Sequence, residues 1–470
     1  MKSLVILISL LFIITHVKSE NPCKPEQIHI SLSEDFVSQT NNQSPIKVIF
    51  HTKEACKNAY ISLQTPSGSI KISASAVNYF QADYSKKGKN VYETYVHIFD
   101  FPKLEYGKTY QYSCYSDETG AHKPQGPFSF YVPNPNPEGK KTTVLMFGDH
   151  DHTFEGQSTL QRLTTLKETN FTKIAAYIHL GDLAYNLEND KGKNGDDYMK
   201  ALQSFSASMP CMVTPGNHET MNNFSNFNMR FNMPYYSKSK NHYYSFNLGN
   251  IHFTTLSLDL VIENPSVMPY MLQWLEKDLA EAQTNRDQRP WIIVYTHRPL
   301  YCSKKKADCT ENVEKYREVE ELLNKYKVDL YVSGHVHHYE RMLPIYKGEV
   351  AAFQQFPEDN NFNHIVNPQA PVYIVQGKAG HSNDPEDGKL ASPRSFTVKL
   401  DNEYSFLAVH SSNSTHLHVE NIVSSSGKVT DDLYIVKDER YAELPWFKPT
   451  TGQQLEDFIS KKLKKLLRGF

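Results

Sequence analysis

The 470-residue chain carries no marked excess of either charge. Its 50 lysines and arginines stand against 52 aspartates and glutamates, for a formal net charge of −2. A general nucleic-acid binder would be strongly basic, so that class is excluded. After its first residues the chain also lacks any apolar run near the roughly 20 residues that cross a bilayer, so no transmembrane segment is expected. Cysteine is sparse, with six in all. None of them stands among the clustered oxygen and imidazole donors described below, so a cysteine-built structural zinc site is not indicated.

What is present is the composition of a globular protein. At 39% apolar and 22% charged, the chain has enough apolar mass to build real cores. Its length exceeds one ordinary domain, which makes two the natural expectation. Aromatics at 12%, mostly Tyr and Phe, lean towards β-rich structure.

Residues 1–19 have the layout of a secretory signal: Lys2, an apolar run from Leu4 to Ile14, then Val17-Lys18-Ser19 before a cut at Glu20. The apolar run is too short for a bilayer span and suits a cleaved signal. Export to the exterior or to a lysosome-like compartment follows. In an oxidising compartment an even number of cysteines favours disulfides. Cys302 and Cys309, close together in a polar loop, are the expected pair. Cys23, Cys56 and Cys114 fall in the N-terminal region, where one is left free or pairs with Cys211. Asn42, Asn170, Asn223 and Asn413 each head a glycosylation sequon.

From about residue 20 to 133, short alternating runs such as Ile46–Phe50, Ser69–Ser73, Tyr95–Phe99 and Tyr110–Cys114 recur without helical periodicity. That pattern predicts a β-sandwich. Pro133, Pro135 and Pro137 then stiffen a linker over 134–140. Beyond it, apolar strands (Thr143–Phe147, Ala175–His179, Trp291–Tyr295, Val328–Val332) alternate with helical segments (Met271–Ala282, Val313–Tyr326). Strand then helix, repeated, predicts an α/β layered domain over 141–425. In the extension over 426–470, Leu455, Phe458, Ile459, Leu463, Leu466 and Leu467 share one helical face opposite a basic one. Packing on the body of the protein is the plain reading of that helix, and attachment to an anionic surface the sharper one.

The informative pattern lies at the strand ends. Five apolar strands run into Gly148-Asp149, Gly181-Asp182, Gly216-Asn217-His218-Glu219, His297 and Gly334-His335-Val336-His337. In α/β sheets the carboxyl ends of strands converge on one crevice. A lone Gly-Asp is usually a turn, and a lone His after a strand is usually structural. The joint pattern is what carries weight. Two carboxylates (Asp149, Asp182), an amide (Asn217), a phenol (Tyr185) and three imidazoles (His297, His335, His337) suit two adjacent cations bridged by a carboxylate. A phenolate needs a strong Lewis acid to stay deprotonated near neutral pH, which favours Fe(III) beside a divalent ion.

The motifs Gly181-Asp-Leu-Ala-Tyr185, Gly216-Asn-His-Glu219 and Gly334-His-Val-His337 followed by Tyr339-Glu-Arg341 resemble those of the purple acid phosphatases, within the metallophosphoesterase superfamily. Pro25–His29, Gln273–Asp278, Pro371–Val375 and Ser414–His418 look alike too, so the resemblance spans roughly residues 25 to 425. It implies a fibronectin-III-like sandwich followed by a four-layer αββα catalytic domain. It places Asp149, Tyr185 and His337 on Fe(III), Asp182 between the ions, and Asn217, His297 and His335 on Zn, Mn or Fe(II). A metal-bound hydroxide would then attack phosphorus while His218 protonates the leaving oxygen or steadies the phosphoryl group. The implied activity is acid phosphomonoester hydrolysis. The alternatives are a phosphodiesterase or nucleotide pyrophosphatase using the same centre, or a catalytically silent secreted binding protein. The substrate class is phosphate esters; oligomeric state is not legible.

Three departures surround the substrate. Asp149 is followed by His150-Asp151-His152, where Asp151 reads as a solvated loop acid or a further metal contact. Lys304-Lys305-Lys306 stands shortly after His297, as a solvated loop or a cationic aid to phosphate. His338 reads as a spare imidazole at the rim.

Overall fold

The computed structural model describes residues 21–33, 43–56, 58–84, 91–116, 123–134, 142–304, 314–356, 358–381, 392–411 and 413–438. The expected signal, Asn42, most of the linker, Lys305, Lys306, Cys309 and the basic helix near the C-terminus lie outside these residues.

Eight antiparallel strands come first: β1 (Glu26–Leu32), β2 (Gln43–Thr52), β3 (Tyr60–Thr65), β4 (Gly68–Ser73), β5 (Ala76–Asp83), β6 (Val91–Pro102), β7 (Thr109–Tyr115) and β8 (Gln125–Tyr131). They form two sheets, β1-β2-β6-β5 and β4-β3-β7-β8. Alternation explains the sandwich. In β7, Tyr110, Tyr112 and Cys114 are buried while Thr109 and Gln111 face solvent, because successive strand residues point to opposite faces. Cys23 and Cys56 form a disulfide, and Cys114 and Cys211 are buried thiols. That settles the pairing left open in the N-terminal region. Cys302 is also disulfide-bonded.

The strands beyond residue 141 are β9 (Thr142–Phe147), β10 (Ile174–His179), β11 (Cys211–Val213), β12 (Tyr243–Leu248), β13 (Ile251–Leu256), β14 (Trp291–Tyr295), β15 (Leu330–Ser333), β16 (Tyr339–Tyr346), β17 (Glu349–Val350), β18 (His364–Val366), β19 (Val372–Gln376), β20 (Thr397–Asp401), β21 (Ser405–Ser411), β22 (His416–Val423) and β23 (Val429–Val436). One sheet runs β11-β10-β9-β21-β22-β23-β18. The other runs β12-β13-β14-β15-β19-β16-β17, with β20 on β16.

The two sheets face each other, and helices cover them. Ile293, Tyr295, Leu330 and Val332 join Leu145 and Leu407 in one core. The alternate residues Ile292, Val294 and Tyr331 turn outward to Met271, Leu275 and Leu323 on helices Met268–Thr284 and Arg317–Lys325. Phe205 of helix Lys193–Ser206 meets Tyr177 of the seven-stranded sheet edge-on. The expected architecture, a β-sandwich followed by a layered domain of two facing sheets with helices outside, is the one observed. An end at residue 425 would divide the β22–β23 hairpin; the sheet continues through Val436. Thr430, Asp431 and Asp432 interrupt the apolar pattern that would have announced that last strand.

The sandwich is bonded to the layered part. Fully buried Arg230 donates to Asp196 at 2.9 Å and Tyr92 at 3.2 Å, and also to Gln27. Ile28 donates its N–H to Gln203 at 3.0 Å. The sequons at Asn223 and Asn413 are exposed, and that at Asn170 is partly so. Among the described residues no helix is long and apolar enough to cross a membrane.

Candidate metal centre

The five strand ends do meet, though not in one sheet. Asp149, Asp182 and Asn217 follow β9, β10 and β11 of the seven-stranded sheet, whereas His297 and His335 follow β14 and β15 of the other. Each sheet thus supplies part of one pocket. The backbone there is strained: Asp149 (φ 57°), Asp182 (φ 53°), Tyr185 (φ 48°) and His335 (φ 70°) all lie in the left-handed region. Side chains rarely adopt that conformation, and such strain concentrates at functional sites. Gly181 (φ +93°) serves a second need, since a Cβ there would sit 2.7 Å from His297 Nδ1. The ligand loops close up only because nothing larger stands between them.

The donors face inward. The Tyr185 hydroxyl lies 2.9 Å from His337 Nε2 and 3.3 Å from Asp149 Oδ1. Asp149 Oδ2 accepts the His335 N–H at 2.8 Å. Asp182 Oδ2 is 3.3 Å from His297 Nε2, and Asn217 Oδ1 is 3.1 Å from that same nitrogen. Donor atoms of Asp182, His297 and His335 all fall within 4.8 Å of one another. His297 Nδ1 is 2.9 Å from the Leu180 carbonyl, which turns Nε2 to the pocket. His218 sits at the mouth, its side chain 33% exposed, with Nδ1 2.9 Å from Asn186 Oδ1.

Electrostatics test whether cations fit. Burial opposes charge on His297, but Asp182, Asp149 and Asp259 outweigh it and raise its pKa to about 10. The pocket is therefore short of positive charge. Burial, with His297 and Arg298 alongside, pushes His335 well below its ordinary value, leaving the neutral imidazole that binds metal. Burial and the carboxylates of Asp149 and Asp182 push the Tyr185 phenol well above its usual range, and a strong Lewis acid would reverse that. Two carboxylates, an amide oxygen, a phenol and three imidazoles around a Gly-lined gap fit two cations.

Several residues sit otherwise than expected. Asp151 is neither solvated nor turned to the ligands. It is buried, accepts the Thr153 N–H at 2.8 Å, and pairs with His381 at 3.1 Å. His338 is no rim imidazole; it points inward to Glu340 at 3.1 Å, which also takes the Ser303 N–H at 2.8 Å. Of the lysine run, Lys304 alone is described. Sequence reasoning missed four supporting residues. Glu219 accepts the N–H groups of Asp182 (2.9 Å), Leu183 (2.8 Å) and Gly216 (2.7 Å), bracing two ligand loops at once. Arg298 links Asp259 (2.6 Å) to His335 (3.2 Å). Asn186 and His381 complete the set. Glu219 closes the Gly216–Glu219 motif and Arg298 follows His297, and that placement was the available signal.

Comparison with known proteins agrees with this geometry. Residues 137–339 match the calcineurin-like phosphoesterase family, and residues 370–432 match the iron/zinc purple acid phosphatase-like protein C family. The class is therefore a metallophosphoesterase hydrolase with a binuclear metal centre. Acid phosphatase type 7 of Mus musculus is 33% identical over 356 residues, covering 73% of this chain and 77% of that protein. Its Danio rerio counterpart is 35% identical over 313 residues, covering 63% and 68%. Purple acid phosphatase 18 of Arabidopsis thaliana is 27% identical over 374 residues, covering 77% and 73%. The structure of purple acid phosphatase PPD1 from yellow lupin (Lupinus luteus) seeds shares the fold. Its TM-score is 0.73 at 19% identity, covering 90% of this chain and 76% of that one. The chain belongs to the purple acid phosphatase family, and with it to the acid phosphatases.

Proposed function

We propose that this chain is a secreted, glycosylated acid phosphatase that cleaves phosphate monoesters at an Fe(III)–M(II) pair. Asp149, Tyr185 and His337 would hold iron, Asp182 would bridge, and Asn217, His297 and His335 would hold Zn, Mn or Fe(II). The observation that carries this reading is the Tyr185 hydroxyl set 2.9 Å from His337 and 3.3 Å from Asp149, because only a strong Lewis acid suits that trio. When bound, such a pair neutralises charge on phosphate and lowers the pKa of water.

The chain's own residues do the rest. His218 stands at the mouth with Nδ1 bonded to Asn186 and Nε2 turned to the pocket, 3.9 Å from Asp182 Oδ2, where it can hand a proton to the departing alcohol oxygen. Glu219 and the Leu180 carbonyl keep the Asp182 loop and the His297 ring in place. Metal analysis and a visible spectrum of the secreted protein test the proposal. One iron per chain with a phenolate-to-iron band, lost in Tyr185→Phe, is expected. A colourless protein holding two divalent ions would overturn the iron assignment while leaving the two-metal one. Faster hydrolysis of bis-p-nitrophenyl phosphate than of p-nitrophenyl phosphate would overturn the monoesterase assignment.

A further inference from the structure

Far along the seven-stranded sheet, β21, β22 and β23 bring a second set of donors together on one face. His418 and Glu420 are alternate residues of β22 and share a face. His410 lies opposite His418 on β21, and Asp432 lies opposite Glu420 on β23. The result is a skewed square, with two imidazoles in one row and a carboxylate pair in the next, set over by one strand. Along its two slanted sides His410 Nε2 is 2.8 Å from Glu420 Oε2, and His418 Nε2 is 2.5 Å from Asp432 Oδ1. Donor atoms of His410, His418 and Glu420 lie within 4.8 Å of one another.

We propose that this square is a second cation site taking one Zn(II), with His410, His418 and Glu420 as ligands and Asp432 supplying the balancing charge. Two observations distinguish it from an ordinary row of polar side chains. Both imidazoles are already oriented. His410 Nδ1 is 2.9 Å from Thr143 Oγ1, which leaves Nε2 facing the carboxylate. The His418 ring lies on Tyr434, with centroids 4.2 Å apart and planes 4° from parallel. Metal-binding imidazoles are commonly held in this way by a bond at the second nitrogen or by packing. The donor set also suits zinc, with borderline imidazoles plus oxygen, and two carboxylates to offset a divalent charge. The side chains are reachable from solvent, with His418 18% and Glu420 25% exposed. Bound zinc would clasp β21 to β22, and Thr143 ties that clasp to β9, the strand that leads to Asp149.

The competing account is two imidazole–carboxylate pairs that need no ion, each a cross-strand contact of ordinary kind. Equilibrium dialysis of the full-length protein as purified, against graded free Zn(II), separates the two. Zinc per chain would be read by atomic emission for wild type, Glu420→Gln, His418→Gln and Asp432→Asn. Any exchange at the binuclear centre is common to all four and cancels in the difference. The wild type should take one more zinc than Glu420→Gln and His418→Gln over the same range, their affinity falling about 100-fold. Asp432→Asn, at a half-exposed position that tolerates change, should weaken uptake about 10-fold. The wild-type unfolding midpoint should rise with zinc by more than those of Glu420→Gln and His418→Gln. All variants should keep their p-nitrophenyl phosphatase activity. Equal zinc uptake by wild type and variants, or a wild-type midpoint indifferent to zinc, would overturn the site.

Discussion

The imidazole of His381 lies flat on the phenol of Tyr185, the two planes 9° from parallel, while its Nδ1 reaches Asp151 at 3.1 Å. The buried carboxylate thus aims the imidazole, and the imidazole covers one face of the phenol. Such a stack alters the electrons of the ring beneath it without touching the ion. With iron held as proposed, His381→Ala should keep the ion, shift the visible band, and lower kcat about 10-fold, as loss of an outer supporting group does. An unmoved band would refute this role. Asp151→Asn should shift the band in the same direction, by less.

In the proposed function His218 protonates the leaving oxygen, and the value of that service depends on the leaving group. His218→Asn should lose about 10²- to 10⁴-fold in kcat on an alkyl phosphate, the usual range for general acid catalysis. On p-nitrophenyl phosphate, whose leaving group departs without help, the loss should be at least about 10-fold smaller. Equal losses on both substrates would assign His218 to binding instead.

Buried neutral histidines carry a cost as the pH falls. Burial lowers His29 to about 4 from an ordinary 6.5. A group depressed in the folded state contributes its full stability above 6.5 and loses it as pH falls towards 4. Between pH 7 and 5 the loss from His29 is about 2 kcal/mol. His29→Gln removes that one titration. Urea unfolding should show the stability gap between wild type and variant narrowing by about that amount over this interval. A gap constant with pH would contradict the assignment.

Arg230 joins the sandwich to the catalytic layers from a fully buried position, paired with Asp196 at 2.9 Å. Asp196, 21% exposed, can turn to water when its partner goes, but Arg230 cannot, so removing the Asp196 charge strands a buried ion at about 3–5 kcal/mol. Asp196→Asn should lower the midpoint of denaturant unfolding by that equivalent. A change below about 1 kcal/mol would mean the pair behaves like an exposed one.

Much of this was legible in the sequence because strand ends announce themselves. An apolar run that stops at Gly and an acid or imidazole names both a strand and the loop that follows. Asp149, Asp182, Asn217, His297 and His335 were all found so, and the structure brings them together. The division of those strands between two sheets was not legible, since a buried strand reads the same whichever sheet it joins. His381 carries the same signal, for it follows β19 and Gly380. Its partners Tyr185 and Asp151, however, stand some 200 residues earlier, and only the folded chain shows them as neighbours. Asp151 was misread because a polar run after a ligand loop looks solvated, and burial is decided by what packs over it.

Four donors follow strands of one sheet and three follow strands of the other, so an ion held among them would be a pin driven through a seam. Apolar faces resist being pulled apart yet yield more readily to sideways slip, having no directional bonds to break. A slip of that kind would drag His297 and His335 past Asp182 and spoil their common focus. The pin and the packing therefore calibrate each other. A methyl group trimmed from Leu407 or Val332, well away from any substrate, would be felt as a change in ion retention before it was felt as a loss of shape.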